Sequence, residues 1–218
     1  MTTLGETATA EKCYASADRL LKHVPAYGDW KQPAAILALS GILDPKTAYE
    51  SCIGKEGAKG LSTFLGYYTL TAVGAAGEYE AALGIMRGYW GKMLELGATT
   101  FWEDFNIDWA QQGAVGIDRI VPEGGIDIHG DFGAFCYLKL RHSLCHGWAS
   151  GPAPYLSKTV IGLRPSKPGC REMIFDPHLS GLEWAHGTYP TPFGDIEAEI
   201  TKSGASCKAP PEVSILRV

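Results

Sequence analysis

Residues Gly97 to Phe105 (GATTFWEDF) set two carboxylates, Glu103 and Asp104, among three large rings, Phe101, Trp102 and Phe105. A carboxylate pressed against rings is partly desolvated, which disfavours its charged form and raises its pKa toward the range of proton exchange at neutral pH. The same rings offer faces on which a sugar ring can pack. A structural reading competes. Thr100 and Glu103 are three apart, the spacing of a capping box in which each side chain takes one orphan amide at a helix start. On spacing alone the capping box is the stronger of the two.

Further candidates follow downstream. His142 and His146 lie four apart in a stretch, Ala134 to Gly147, that reads as a helix and would place both on one face. Two such histidines can begin a metal site. A zinc site needs a third ligand, however, and no zincin-type Glu stands between them, so no metal is expected. Asn106 to Gly133 is dense in glycine and reads as a long irregular loop. Its IDIHGD run makes Asp127, His129 and Asp131 candidates for lining a cleft, with ordinary turn chemistry as the alternative. Trp30 sits in a loop, Val24 to Lys31, more as an anchor than as a ligand-facing ring.

The elements that must position these residues are mostly helical. Glu6 to His23 is amphipathic, with Ala10, Cys13, Tyr14, Ala17, Leu20 and Leu21 on one face. Pro33 suits the first turn of a helix through Leu43, and Asp44-Pro45 opens another to Ile53. Ser62 starts a helix that ends near Gly77 and is apolar nearly all round, which suits the inner ring of an α/α barrel. Glu78 to Leu96 is its returning partner, closed by Gly97. Tyr155 to Leu163 adds a last apolar turn or two. Beyond Arg164 prolines punctuate short alternating runs, Glu172 to Phe175, Leu182 to Ala185, Ile196 to Ile200 and Val213 to Leu216, the pattern of a small β domain.

Composition narrows the partners. Of 218 residues 45% are hydrophobic and 20% charged, which is ordinary globular usage, and the net charge of −5 without a basic stripe argues against nucleic acid or an anionic membrane. No apolar run reaches bilayer length, and Met1-Thr2-Thr3 leads into polar sequence. The compartment is left open. The six cysteines, Cys13, Cys52, Cys136, Cys145, Cys170 and Cys207, form no CxxC pair and are expected as buried free thiols.

Three motifs taken together go further. GATTFWEDFNIDW, then RHSLCHGWASGP (Arg141 to Pro152), then LEWAHGTYPTPFGDI (Leu182 to Ile196), in this order, resemble the bacterial α-L-rhamnosidase family of inverting glycoside hydrolases. The resemblance implies a mainly α fold of α/α-toroid type, residues 1–163 forming the C-terminal part of a six-hairpin barrel. A small all-β, sandwich-like domain, residues 164–218, follows in a supporting role. It also implies Glu103 as general base, Asp104 as the near alternative, Trp102 as a wall of the pocket and His146 as a hydrogen-bonding partner of the sugar. No metal or organic cofactor is implied, and the ligand is a rhamnose-containing glycoside. The family's general acid lies upstream of everything matched, so this chain is expected to turn over little or nothing alone. It should dock on a missing N-terminal portion or self-associate through uncovered helix faces. A non-catalytic scaffold or carbohydrate-binding remnant is the alternative.

Overall fold

The computed structural model describes residues 4–111, 113–129 and 142–218. Helix α1 (Thr7–Leu21) has the expected span, but Ala10 is its one buried residue, and Tyr14 and Leu20 stand two-thirds exposed. The apolar face thus lacks cover among the described residues. Helix α2 (Lys31–Leu39) starts two residues before Pro33 and stops four before Leu43. Its Lys31 is buried, and the ammonium donates to the carbonyls of Lys55 and Gly57 in the loop that follows. Desolvation pulls that pKa down against the pull of Glu56 and Cys52.

Helix α3 (Pro45–Ala48) is capped by Asp44, whose carboxylate accepts the Thr47 amide at 2.8 Å, and it runs on as a π-turn over Tyr49–Ile53. Helix α4 (Thr63–Ala75) packs against both α2 and α5 (Tyr79–Glu95). Where α4 meets α5, a Cβ on Gly66 would lie 2.7 Å from the Trp90 ring, so the absence of a side chain sets the close approach. On α5 the buried positions Ala82, Leu83, Ile85, Tyr89, Trp90 and Met93 follow the helical period. Its end has the hydrogen bonds of a Schellman motif: Ala98 N–H to Met93 O at 3.0 Å and Gly97 N–H to Leu94 O at 2.9 Å, with Gly97 at φ +84°.

Two expectations are corrected beyond this point. No helix starts at Thr100, because residues 99–106 are irregular and the next helix, α6, spans Ile107–Gln111. Nor is there a helix through Gly147. Residues 134–141 lie outside the described residues, but His142 to His146 are non-helical and lead into a 3-10 turn (Gly147–Ser150), α7 (Pro152–Tyr155) and a π-turn (Leu156–Val160). The reason is that the Ser143 and His146 backbone groups bond to the 101–103 segment, so a helical ladder cannot use them.

The change from helix to strand falls at Gly162, where φ is +76° and a Cβ would lie 2.3 Å from the Asp176 backbone. Strands β1 (Leu163–Pro165), β2 (Glu172–Phe175), β3 (Trp184–Thr191), β4 (Gly194–Thr201), β5 (Gly204–Lys208) and β6 (Ser214–Arg217) form two sheets. One has the order β1-β2-β6, with β2 and β6 parallel; the other is the antiparallel meander β3-β4-β5. Leu163, Met173 and Phe175 from the first face Ile196, Ala198 and Ile200 from the second in one shared core, as the period of two requires. His178 stacks on Tyr79 of α5 with ring centroids 3.6 Å apart, and Leu182 and Ala185 pack on the helical core.

Five described cysteines are free thiols; Cys52 is buried as expected, whereas Cys13 and Cys145 are exposed. Cys136 lies outside the described residues. Among the described residues no helix is long and apolar enough to cross a membrane.

Candidate active site

The segments 100–105 and 142–148 run side by side and are laced together. Glu103 N–H donates to Ser143 O at 2.9 Å, and His146 N–H donates to Phe101 O at 3.0 Å. The Ser143 amide donates in turn to the Glu103 carboxylate at 3.1 Å. The Thr100 hydroxyl, which the capping box would aim at a new helix, donates instead to Leu144 O. Thr100 and Glu103 therefore do share a task, but their partners are 44 and 40 residues away in sequence.

The core holds this lace from below. The Glu103 carbonyl accepts from the Thr63 hydroxyl at the start of α4 and from the Trp148 indole N–H at 3.1 Å. Tyr89 of α5 donates its hydroxyl to Phe105 O, and burial pushes that phenol far above its ordinary pKa. Trp90 donates to Ala149 O at 2.7 Å and so fixes the 3-10 turn behind His146. The outcome is a Glu103 carboxylate 4.0 Å from His146 Nδ1, with the two side chains 18% and 27% exposed. That exposure leaves both within reach of a ligand.

The other expected residues fall around this pair. Trp102 is 1% exposed and meets His129 and Phe105 edge-on, so it supports the segment from inside rather than presenting its face. Asp104 accepts its neighbour's Phe105 amide at 2.9 Å, and its own amide donates to His142 Nε2 at 3.1 Å. His142 is buried and points toward His129, not toward His146. The shared helical face proposed for a metal pair is absent. Asp127 accepts the His129 amide at 3.0 Å in the manner of an Asx turn, the turn chemistry weighed against a cleft role. Asp131 lies outside the described residues.

Sequence reasoning did not single out Trp148, Phe64 and Thr63. The Trp148 ring lies 4.1 Å from His146 and 5.2 Å from Phe64, and both Trp148 and Phe64 are about half exposed beside the carboxylate. The HGWASGP motif contained one of them. Phe64 and Thr63, at the start of a distant helix, carried no local signal.

Comparison with known proteins now gives this geometry a setting. Residues 162–214 match the family model for the bacterial alpha-L-rhamnosidase C-terminal domain. No curated protein matches the chain by sequence. Among solved structures, the α-L-rhamnosidase from Aspergillus terreus superposes on 100% of this chain with a TM-score of 0.77 at 17% identity, which is 26% of that chain. The Streptomyces avermitilis α-L-rhamnosidase, solved in complex with L-rhamnose, covers 99% of this chain with a TM-score of 0.72 at 18% identity, which is 21% of that chain. Such likeness defines the fold, and the chain spans about a quarter or less of those structures. The proteins that both comparisons return are α-L-rhamnosidases, like the family that the three motifs resemble, and the family-model match covers residues 162–214.

Proposed function

We propose that this chain supplies the general-base half of a glycosidase that hydrolyses terminal α-L-rhamnosides with inversion. The observation that carries the reading is the Glu103–His146 pair, drawn together at 4.0 Å on a chain whose whole length shares the fold of solved α-L-rhamnosidases. In an inverting reaction a carboxylate takes a proton from the water that attacks the anomeric carbon, while an acid across the ring protonates the departing oxygen. Glu103 is the base and His146 holds the sugar beside it. Trp102 fixes the wall behind them through His129 and Phe105. Asp104, tied to the Phe105 amide, is the weaker candidate for the base. The acid comes from an upstream portion, and the chemistry requires neither metal nor organic cofactor.

In this reading residues 1–163 are the last part of a six-hairpin α/α barrel and residues 164–218 its supporting β domain. The half-exposed Phe64 and partly exposed Tyr68 on α4 support it, since an inner barrel helix needs further helices to cover it. The test is hydrolysis of a chromogenic α-L-rhamnoside by the chain alone and mixed with the upstream portion of a matching α-L-rhamnosidase. Activity is expected in the mixture only, with the β anomer as first product, and Glu103→Gln should lower it roughly 10²- to 10⁴-fold. Turnover by the chain alone would overturn the split site, and a fully active Glu103→Gln mixture would overturn the base.

A second reading, a non-catalytic sugar-binding or scaffold piece, has one observation in its favour. The Glu103 carboxylate also accepts the Ser143 amide, which is a structural task. If Glu103→Gln lowers the melting temperature and leaves rhamnose binding unchanged, that reading gains.

A further inference from the structure

Behind the Glu103 segment lie two histidines that the proposed reaction does not use. His142 Nε2 receives the Asp104 amide at 3.1 Å, and its Nδ1 lies 3.4 Å from His129 Nδ1. A backbone amide can only donate, so His142 Nε2 carries no proton and the ring holds its proton on Nδ1. That proton points at His129 Nδ1, which must then be an acceptor, leaving the His129 proton on Nε2. Every other neutral combination puts two donors, or two lone pairs, against each other at one of the two contacts. His129 Nε2, which carries the proton in this assignment, is buried and finds no hydrogen-bond partner among the described residues. Trp102 closes over His129 edge-on, with centroids 4.4 Å apart.

We propose that His142 and His129 form a neutral, tautomer-locked pair that positions the Glu103–Asp104 turn, His142 as the direct positioning residue and His129 as the group that fixes its tautomer. The role given to Glu103 rests on the reading of that residue as the base. Burial supports neutrality for both: it is the largest influence lowering each ring's pKa, and His129 is brought down to about 4. The adjoining lace gives the pair its leverage. Asp104 N–H is bound by His142, and the next residue of that segment, Ser143, exchanges two hydrogen bonds with Glu103, one of them to the carboxylate. Holding residue 142 against residue 104 therefore sets the direction in which the carboxylate points.

The test uses the whole chain, labelled with ¹⁵N. Long-range proton–nitrogen correlation at pH 7 should show a ring with its proton on Nδ1 that disappears in His142→Gln, and one with its proton on Nε2 that disappears in His129→Phe. His142 in the Nε2–H form, or either ring charged at pH 7, overturns the proposal. In His142→Ala the Glu103 and Ser143 amides should exchange with solvent roughly tenfold faster, since the adjoining, part-buried Asp104 amide has lost its acceptor and the lace is loosened. His142→Gln, whose side-chain oxygen can stand in for Nε2, should restore the wild-type rate. Amides of β4 serve as the control: equal acceleration there, or failure of the glutamine to rescue, leaves His142 no positioning role. Neither outcome depends on turnover, so correct tautomers with an active Glu103→Gln mixture would retire the base and keep the pair.

Discussion

The two ends of this molecule solve the problem of apolar surface differently. The β domain closes its own core: Leu163, Met173, Phe175, Ile196, Ala198, Ile200 and Val213 are all buried among two facing sheets. The helical end has the larger core but leaves Tyr14, Leu20, Trp30, Ile36, Leu39, Ile42 and Phe64 exposed along α1, α2, their flanking loops and α4. Exposed apolar residues in such numbers on adjoining elements mark a surface that expects cover. A strand pair needs only a second sheet to bury its inner face, whereas a helix that is apolar on several sides needs neighbours on each of them.

The largest test of that contrast lies in the closed core. Phe175→Ala should cost about 3 to 5 kcal/mol, measured by urea denaturation, because a fully buried ring leaves a cavity among fixed neighbours. A cost below about 1 kcal/mol would mean that the sheets do not depend on each other. Gly162→Ala probes the seam between the two ends and should cost about 2 to 4 kcal/mol, since the new methyl meets the Asp176 backbone at a φ that disfavours L-residues. A neutral result would show that the seam can shift.

The ion pairs at the same seam should matter less. Burial is the largest single influence on Asp176 and works to raise its pKa, but Arg164 at 2.9 Å and His178 at 3.2 Å together outweigh it and hold the carboxyl below its ordinary value of 3.8. A depressed folded pKa contributes stability that is present above pH 3.8 and lost as pH falls through the folded value. Asp176→Asn should therefore lower the melting temperature at neutral pH by the equivalent of about 1 kcal/mol or less, given partial exposure, and the gap from wild type should close in acid. A gap that persists unchanged at pH 2 would assign the effect to packing. The smallest change in stability belongs to the open face. Trp30→Gln with Ile36→Gln should stay within about 0.5 kcal/mol of wild type while reducing self-association in sedimentation velocity. Unchanged association would point to another surface.

Much of the local structure could be read directly. Gly97 closes α5 where the apolar period ends, because the left-handed residue of a Schellman motif is a local requirement. Asp44-Pro45 opens a helix, and the alternation of Ile196, Ala198 and Ile200 gives the inner face of β4. The errors have a common cause. Thr100 and Glu103 have the spacing of a capping box, and His142 and His146 that of one helix face. Spacing cannot tell whether a hydroxyl or amide bonds within its own turn or to a segment forty residues away.

The sequence by itself thus determined the helical and β parts, the family resemblance and the candidacy of Glu103, Trp102 and His146, since period, turn residues and motif order are properties of the chain. Only the tertiary structure decided that 100–105 and 142–148 lie side by side, that Trp102 faces inward, and that His142 accepts a backbone amide from Asp104. Those outcomes depend on long-range hydrogen bonds to Thr63, Tyr89 and Trp90, whose partners exist only after α4 and α5 have packed.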